Sequence, residues 1–322
     1  MSATFQLGLM VLVAFLLGSI CAHLFPYAAT RLSSRRARRR FVQFVQPKRF
    51  GNTPPPLSDA GTEGVGILIH QILRQQEEDC EKKSLGQLPR LGEKAPRCYE
   101  MTARVLALLD ALSSCAWGCA EGDHVLERLV ARSVNHARAA LRLALMGFYD
   151  EALVLTRGIG EIANLLSLFE ARRESFARWK SLDERTRRRE FSPVHVRTEL
   201  ETIGTPIRVT TEAYAELSSR NVHVNPRTSP QTYDILGKPK GGGYYQDAGL
   251  MICQNELAEA LTFVIYSAAQ LSHLDQTLKK RMLLVGRDLI LHTGSLGIEN
   301  MQEMWAELMK KASAEQNPIT SS

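Results

Sequence analysis

From Phe5 to Phe25 the chain reads FQLGLMVLVAFLLGSICAHLF, about 21 residues without an acidic, lysine or arginine side chain. At 1.5 Å of rise per residue this run crosses a hydrocarbon core of about 30 Å as one helix, the conformation that satisfies its backbone polar groups within the segment. The run therefore predicts a chain in two solvents, with residues 1–28 as a transmembrane anchor and a folded body in water. A cleaved signal peptide fits less well, because Met1 to Thr4 carries no basic residue and the apolar run exceeds a typical signal core. Cys21 follows Ile20 where a lipoprotein site has a small residue, so it reads as a small apolar side chain of the helix.

Arg31, Arg35, Arg36, Arg38, Arg39 and Arg40 follow the apolar run, while its N-terminal side has only the terminal amine. By the positive-inside rule the N-terminus lies outside and the body in the cytoplasm, giving a single-pass protein of the inner (cytoplasmic) membrane. Membrane lipids are the expected partners of the N-terminal helix, and anionic head groups those of Arg31–Arg40, at about 1 kcal/mol per arginine. A topology signal alone accounts for the arginines equally well. Residues 29–61 join this basic segment to a spacer containing Pro54, Pro55 and Pro56, which cannot continue a helix. Residues 62–322 form the expected cytoplasmic helical domain.

The net charge of +6 belongs to this N-terminal region. Residues 1–49 hold eight basic and no acidic side chains, leaving 32 basic against 34 acidic for residues 50–322. A near-neutral body lacks the spread of cations that holds a polyanion by counterion release. At 44% hydrophobic and 23% charged residues the whole chain has the composition of a globular rather than a disordered protein.

Beyond Val65 apolar residues recur at helical spacing, and no alternating run is long enough for a strand, so the body is all-α. Helices are predicted at 64–83, 98–118, 124–146, 150–171, 174–189, 194–203 and 210–220, then at 250–286, with a break near Leu283, and at 298–314. Gly147 to Tyr149 is too short a connection for anything but an antiparallel helical hairpin, which is the expected core. Residues 223–246, rich in Pro and Gly, read as a surface excursion able to act as a lid or partner loop.

No cofactor is expected. GxxxxGK[ST], strand-coupled GxGxxG, HExxH and GxSxG are all missing. Cys115 and Cys119, four apart, would share a helix face, and sequence spacing supplies no further ligands, so no metal site is expected.

Three clusters carry candidate chemistry. Arg157 and Glu161 are the only charges between Ala152 and Phe169 and share a helix face with Asn164. They read either as a solvated ion pair or, in so apolar a helix, as a buried arginine that needs an anionic partner. Tyr214, Ser218, Arg220, Asn221 and His223 lead to a helix end set by Asn225 and Pro226. His223 there is either a C-terminal cap or a general acid or base beside a phosphate-binding arginine. In the helix expected at 124–146, before the hairpin turn, Arg132 and His136 share one face and Arg138 and Arg142 another, as solvated faces or anion contacts. Arg185, Arg187, Arg188 and Arg189, interrupted by Glu184 and Glu190, read as a solvated helix end, with RNA contact as the lesser alternative.

Residues 129–226, a helical hairpin carrying R-x3-E and then a helix ending in Y-x2-L-S-x4-H, resemble an uncharacterised group of bacterial proteins of the HEPN type. The resemblance covers about a third of the chain. It implies an all-helical, usually dimeric domain, often a metal-independent ribonuclease of toxin or phage-defence systems. Arg220, Asn221 and His223 correspond to its catalytic motif, although two residues separate Arg220 from His223 where the family has at least four. Two functions follow as expectations. One is a membrane-tethered interaction or sensor module of a bacterial defence or toxin-type system. The other is a HEPN-like endoribonuclease acting on RNA, with His223, Arg220 and Asn221 catalytic and Arg157, Glu161, Tyr214 and Ser218 supporting or phosphate-binding.

Overall fold

The computed structural model describes residues 62–217 and 243–293. The chain divides into two compact units, Met1–Thr62 and Glu63–Ser322, and every described residue but Thr62 falls in the second. The expected membrane span, its arginines, the linker, Ser218 to Gly242 and the helix expected at 298–314 all lie outside the described residues.

Ten α-helices form in the described residues, with no strand among them: α1 (Thr62–Gln87), α2 (Lys94–Ser113), α3 (Val125–Leu145), α4 (Tyr149–Ala171), α5 (Arg173–Ser181), α6 (Glu184–Glu190), α7 (Pro193–Thr202), α8 (Thr211–Leu217), α9 (Asp247–Leu271) and α10 (Gln276–Leu291). The body is all-α, as the periodicity predicts. The most apolar helices, α4 and α9, pack most extensively on each other, and α2, α3 and α10 surround them. Ser167 and Ser267 meet at 3.3 Å across this central pair. The α3–α4 hairpin forms at its short turn, but the centre of the core is α4 against α9, which the sequence separates by some 75 residues. Among the described helices α4 and α9 alone are long and apolar enough to cross a membrane, and both are mostly buried within the bundle. Helices this apolar are core elements when their surface is covered by protein.

Among the expected boundaries that differ, three are set by a cap or a left-handed residue. The helix expected at 174–189 is two: Asp183 takes extended backbone and its carboxylate accepts from Thr186 N at 3.0 Å, starting α6. In the same way the helix expected at 250–286, with its break near Leu283, breaks instead after Leu271, and Asp275 starts α10, which contains Leu283, by accepting from Leu278 N at 2.9 Å. Short acidic side chains compete with the helix by offering the backbone this alternative. The helix expected to reach Gly118 ends at Ser113, where Cys115 adopts left-handed backbone (φ 59°) and Ala116 N donates to Ala111 O at 3.0 Å. Cys115 and Cys119 are therefore in a loop, not on one helix face.

The turn after α3 organises the bundle. Gly147 (φ 82°) reverses the chain, and a Cβ there would lie 2.8 Å from the Tyr244 backbone. Gly243 N donates to Met146 O at 3.1 Å, and Gln246 N to the Tyr149 hydroxyl at 2.8 Å, so the last residues of the expected surface excursion are pinned to the hairpin. Ser84 in α1 donates to Leu145 O at 2.7 Å, docking that helix by its C-terminal half. Tyr149 is fully buried against Gly249.

In an exposed helix, replacing Gly by Ala gains about 1 kcal/mol. Gly249→Ala has the opposite sign, because its Cβ would lie 2.5 Å from the Tyr149 ring. The expected outcome is a loss of about 1–3 kcal/mol, measured by urea unfolding of the detergent-solubilised chain followed by circular dichroism. A neutral or stabilising result would show that the Tyr149 ring is free to move aside.

Candidate anion-binding site

The candidate site grows from R-G-I-G-E in α4. Arg157 and Glu161 are one turn apart, and Glu161 Oε1 accepts from Arg157 Nε at 3.1 Å and Nη2 at 2.9 Å. Both side chains are largely shielded from solvent, so this is a part-buried pair rather than a solvated stripe. The intervening glycines decide what can approach the helix. A Cβ on Gly158 would lie 3.2 Å from His136 Nδ1 of α3, and one on Gly160 would overlap the Val209 side chain.

Asn164, one turn further along, holds the segment that carries Val209. Its Nδ2 donates to Val209 O at 3.1 Å, and its Oδ1 accepts from Arg208 N at 2.8 Å and Val209 N at 3.4 Å. Arg208 anchors the same segment to α9, donating to Glu256 Oε2 at 2.7 Å and Glu256 O at 2.8 Å, with Glu259 at 3.5 Å. Thr210 then caps α8 through its hydroxyl, which accepts from Ala213 N at 3.2 Å. One turn on, Tyr214 reaches the ion pair, and the Arg157 guanidinium lies 4.1 Å from its ring centroid.

A second guanidinium meets the same ring. Arg197 of α7 lies 4.5 Å from the Tyr214 centroid and is only 3% exposed. Its Nε and Nη1 are buried without a hydrogen-bond partner. Glu161 is engaged by Arg157. The Glu212 carboxyl, held below the usual carboxylate range chiefly by its own backbone N–H and the Thr210 hydroxyl, feels the Arg197 charge without pairing to it. Burying a cation costs several kcal/mol, of which a desolvated cation–π contact returns about 2 kcal/mol or somewhat more. Tyr214 therefore does not compensate Arg197, and an anion would.

Beside this pair lies a cleft of about 260 Å³ between α3, α4 and α7, lined among others by Arg132, His136, Glu161, Asn164 and Pro193. Burial, followed by the charge of Arg132, holds His136 below the ordinary imidazole pKa, and its Nδ1 is buried without a partner. A neutral imidazole next to a carboxylate and an arginine can accept a proton or a hydrogen bond from a ligand. A larger groove of about 720 Å³ on the far side of α7 is lined by arginines that already have carboxylate partners: Arg172 with Glu199, and Arg178 and Arg189 with Glu190.

Of the residues singled out from the sequence, Arg157, Glu161 and Tyr214 come together. Arg132 and His136 face the cleft, and Arg138 and Arg142 are exposed. Ser218, Arg220, Asn221 and His223 lie outside the described residues. In the basic run of α6, Arg187 and Arg188 pair with Glu184 and Arg189 with Glu190, which offsets part of its charge locally. Arg197 and Arg208 were missed. Arg197 had a weak signal, since it lies between Val196 and Leu200 on the apolar side of its helix; Arg208, in a non-helical segment, had none. Comparison with protein-family models, curated proteins and solved structures found no match.

Two substitutions separate holding from waiting. Asn164→Ala removes a satisfied buried amide and is expected to cost about 1–3 kcal/mol in urea unfolding. Arg197→Met removes an unpaired buried charge and is expected to leave stability unchanged or raise it. A loss as large as that of Asn164→Ala would mean that the guanidinium already has its counter-ion. His136 should titrate below about 6.5 by NMR. Because its folded pKa is depressed, its contribution to stability is complete above about 6.5 and is lost as pH falls through the folded value.

Proposed function

We propose that this chain is a single-pass, membrane-tethered helical binding module of a bacterial defence or toxin-type system, and that its bundle receives an anionic group at Arg197, Tyr214 and Arg157. The uncharged run Phe5–Phe25 and the arginines Arg31–Arg40 support an anchor in the inner membrane with the body in the cytoplasm. The observation that carries the binding function is the buried guanidinium of Arg197, whose Nε and Nη1 have no hydrogen-bond partner. A planar guanidinium matches carboxylate or phosphate oxygens in pairs, and low dielectric strengthens the contact. Two arginines stacked on one tyrosine, one already neutralised by Glu161, leave one positive charge there for a further anion to offset.

A second reading is a HEPN-like, metal-independent endoribonuclease. What favours it is that Tyr214, in the helix leading towards Arg220, Asn221 and His223, rests on the R-x3-E pair. In that reading His223 exchanges the ribose 2′-hydroxyl proton, Arg220 stabilises the charge on phosphorus and Asn221 orients the phosphate. The homodimer that the family resemblance implies belongs to the same reading.

In nanodiscs, calorimetric titration of the full chain with inorganic phosphate and with an oligoribonucleotide, both in EDTA, tests the two readings. Arg197→Gln should weaken binding by about 10-fold or more, the worth of a hydrogen bond to a charged group; equal affinity in wild type and variant would refute the site. RNA cleavage in EDTA that disappears in His223→Ala would establish the enzyme instead. For the tether, protease should digest the body in inside-out but not right-side-out membrane vesicles, and the reverse pattern would overturn the orientation.

A further inference from the structure

The loop between α2 and α3 holds a feature that the anion site does not use. We propose that Cys115, Cys119 and His124 bind a divalent cation of the zinc class, with water in the fourth position. Their donor atoms all lie within 4.8 Å of one another, and Cys115 Sγ is 3.3 Å from His124 Nδ1. A tetrahedral zinc ion bound by two thiolates and an imidazole places those atoms about 3.5–3.8 Å apart. Sequence spacing shows only the C-x3-C half of this set, because His124 joins it when the loop folds back.

The backbone is shaped to bring the ligands together. Cys115 and His124 are the only non-glycine residues with left-handed backbone among those described (φ 59° and 55°). The ends of α3 and α7 close with the same pattern of hydrogen bonds as the end of α2, yet their left-handed position is glycine, at Gly147 and Gly204. A side chain in that position costs roughly 1–2 kcal/mol, so cysteine at 115 sacrifices stability that glycine would keep. Coordination of its sulfur gives that sacrifice a function.

Electrostatics points the same way. Glu127, in the first turn of α3, is 2% exposed; its Oε1 accepts from Ala120 N of the same loop at 2.6 Å, and its Oε2 is buried without a partner. A divalent ion in the loop would place positive charge near that carboxylate and deprotonate its thiol ligands. Lys180 is already committed to Glu121 and Asp123 on the outside of the loop. Cys119 and His124 are exposed, so the fourth position faces solvent and the ion would clamp the outer side of a loop whose inner side is held by Glu127.

The test uses the full chain, purified in mild detergent under reducing conditions, stripped of metal and titrated with Co²⁺. About one equivalent should bind with thiolate-to-cobalt charge-transfer absorption and the strong visible bands of a tetrahedral site. Excess Zn²⁺ should abolish both. Cys119→Ser, at an exposed position, should lose the charge-transfer band while keeping wild-type helical circular dichroism, and Cys98→Ala, which removes a thiol outside the cluster, should retain it. The proposal is overturned if reduced wild-type chain shows no charge-transfer band, if the band survives Cys119→Ser, or if thiol counting shows Cys115 and Cys119 already joined as a disulfide.

Discussion

A helix as apolar as Tyr149–Ala171 must have nearly its whole surface covered, and its burial is the constraint on which the bundle rests. Covering it needs neighbours on every side: α9 along its length, α3 by the hairpin turn, α7 and the Arg208–Val209 segment across its second half. Once it is central, its few polar residues can no longer be spectators. Ser167 meets Ser267, Asn164 holds a chain segment by its amide, and Arg157 brings its own carboxylate one turn away.

The candidate site is a consequence of that burial. Gly158 and Gly160 thin the helix where α3 and the Arg208–Val209 segment approach, so His136, Val209 and then Tyr214 are brought to the Arg157–Glu161 pair. The pair is neutral in itself and structurally complete. Arg197 is different, because the bundle buries its charge against the face of a tyrosine and, among the described residues, pairs no carboxylate with it. Stability alone would favour an apolar residue at that position. Retaining a guanidinium there trades folding free energy for an affinity that appears only when an anion enters.

The α2–α3 loop shows the same trade through the backbone. Glycine closes the equivalent ends of α3 and α7 without strain, whereas Cys115 takes the left-handed conformation at a cost and places its sulfur next to His124. Neither device involves the central α4–α9 interface, so each can be altered without dismantling the core.

The helical class, the α3–α4 hairpin and the pairing of Arg157 with Glu161 follow from the sequence, because they depend on period, loop length and an i,i+4 spacing, all local quantities. The caps at Asp183 and Asp275 are also local, but one short side chain had to outweigh a long apolar period, and the period misled. Tertiary structure alone decided that α4 pairs chiefly with α9, that Arg197 is buried without a paired carboxylate among the described residues, and that His124 returns to the two cysteines. Each of these depends on which distant surfaces cover one another, a sum over many weak contacts that no spacing along the chain records.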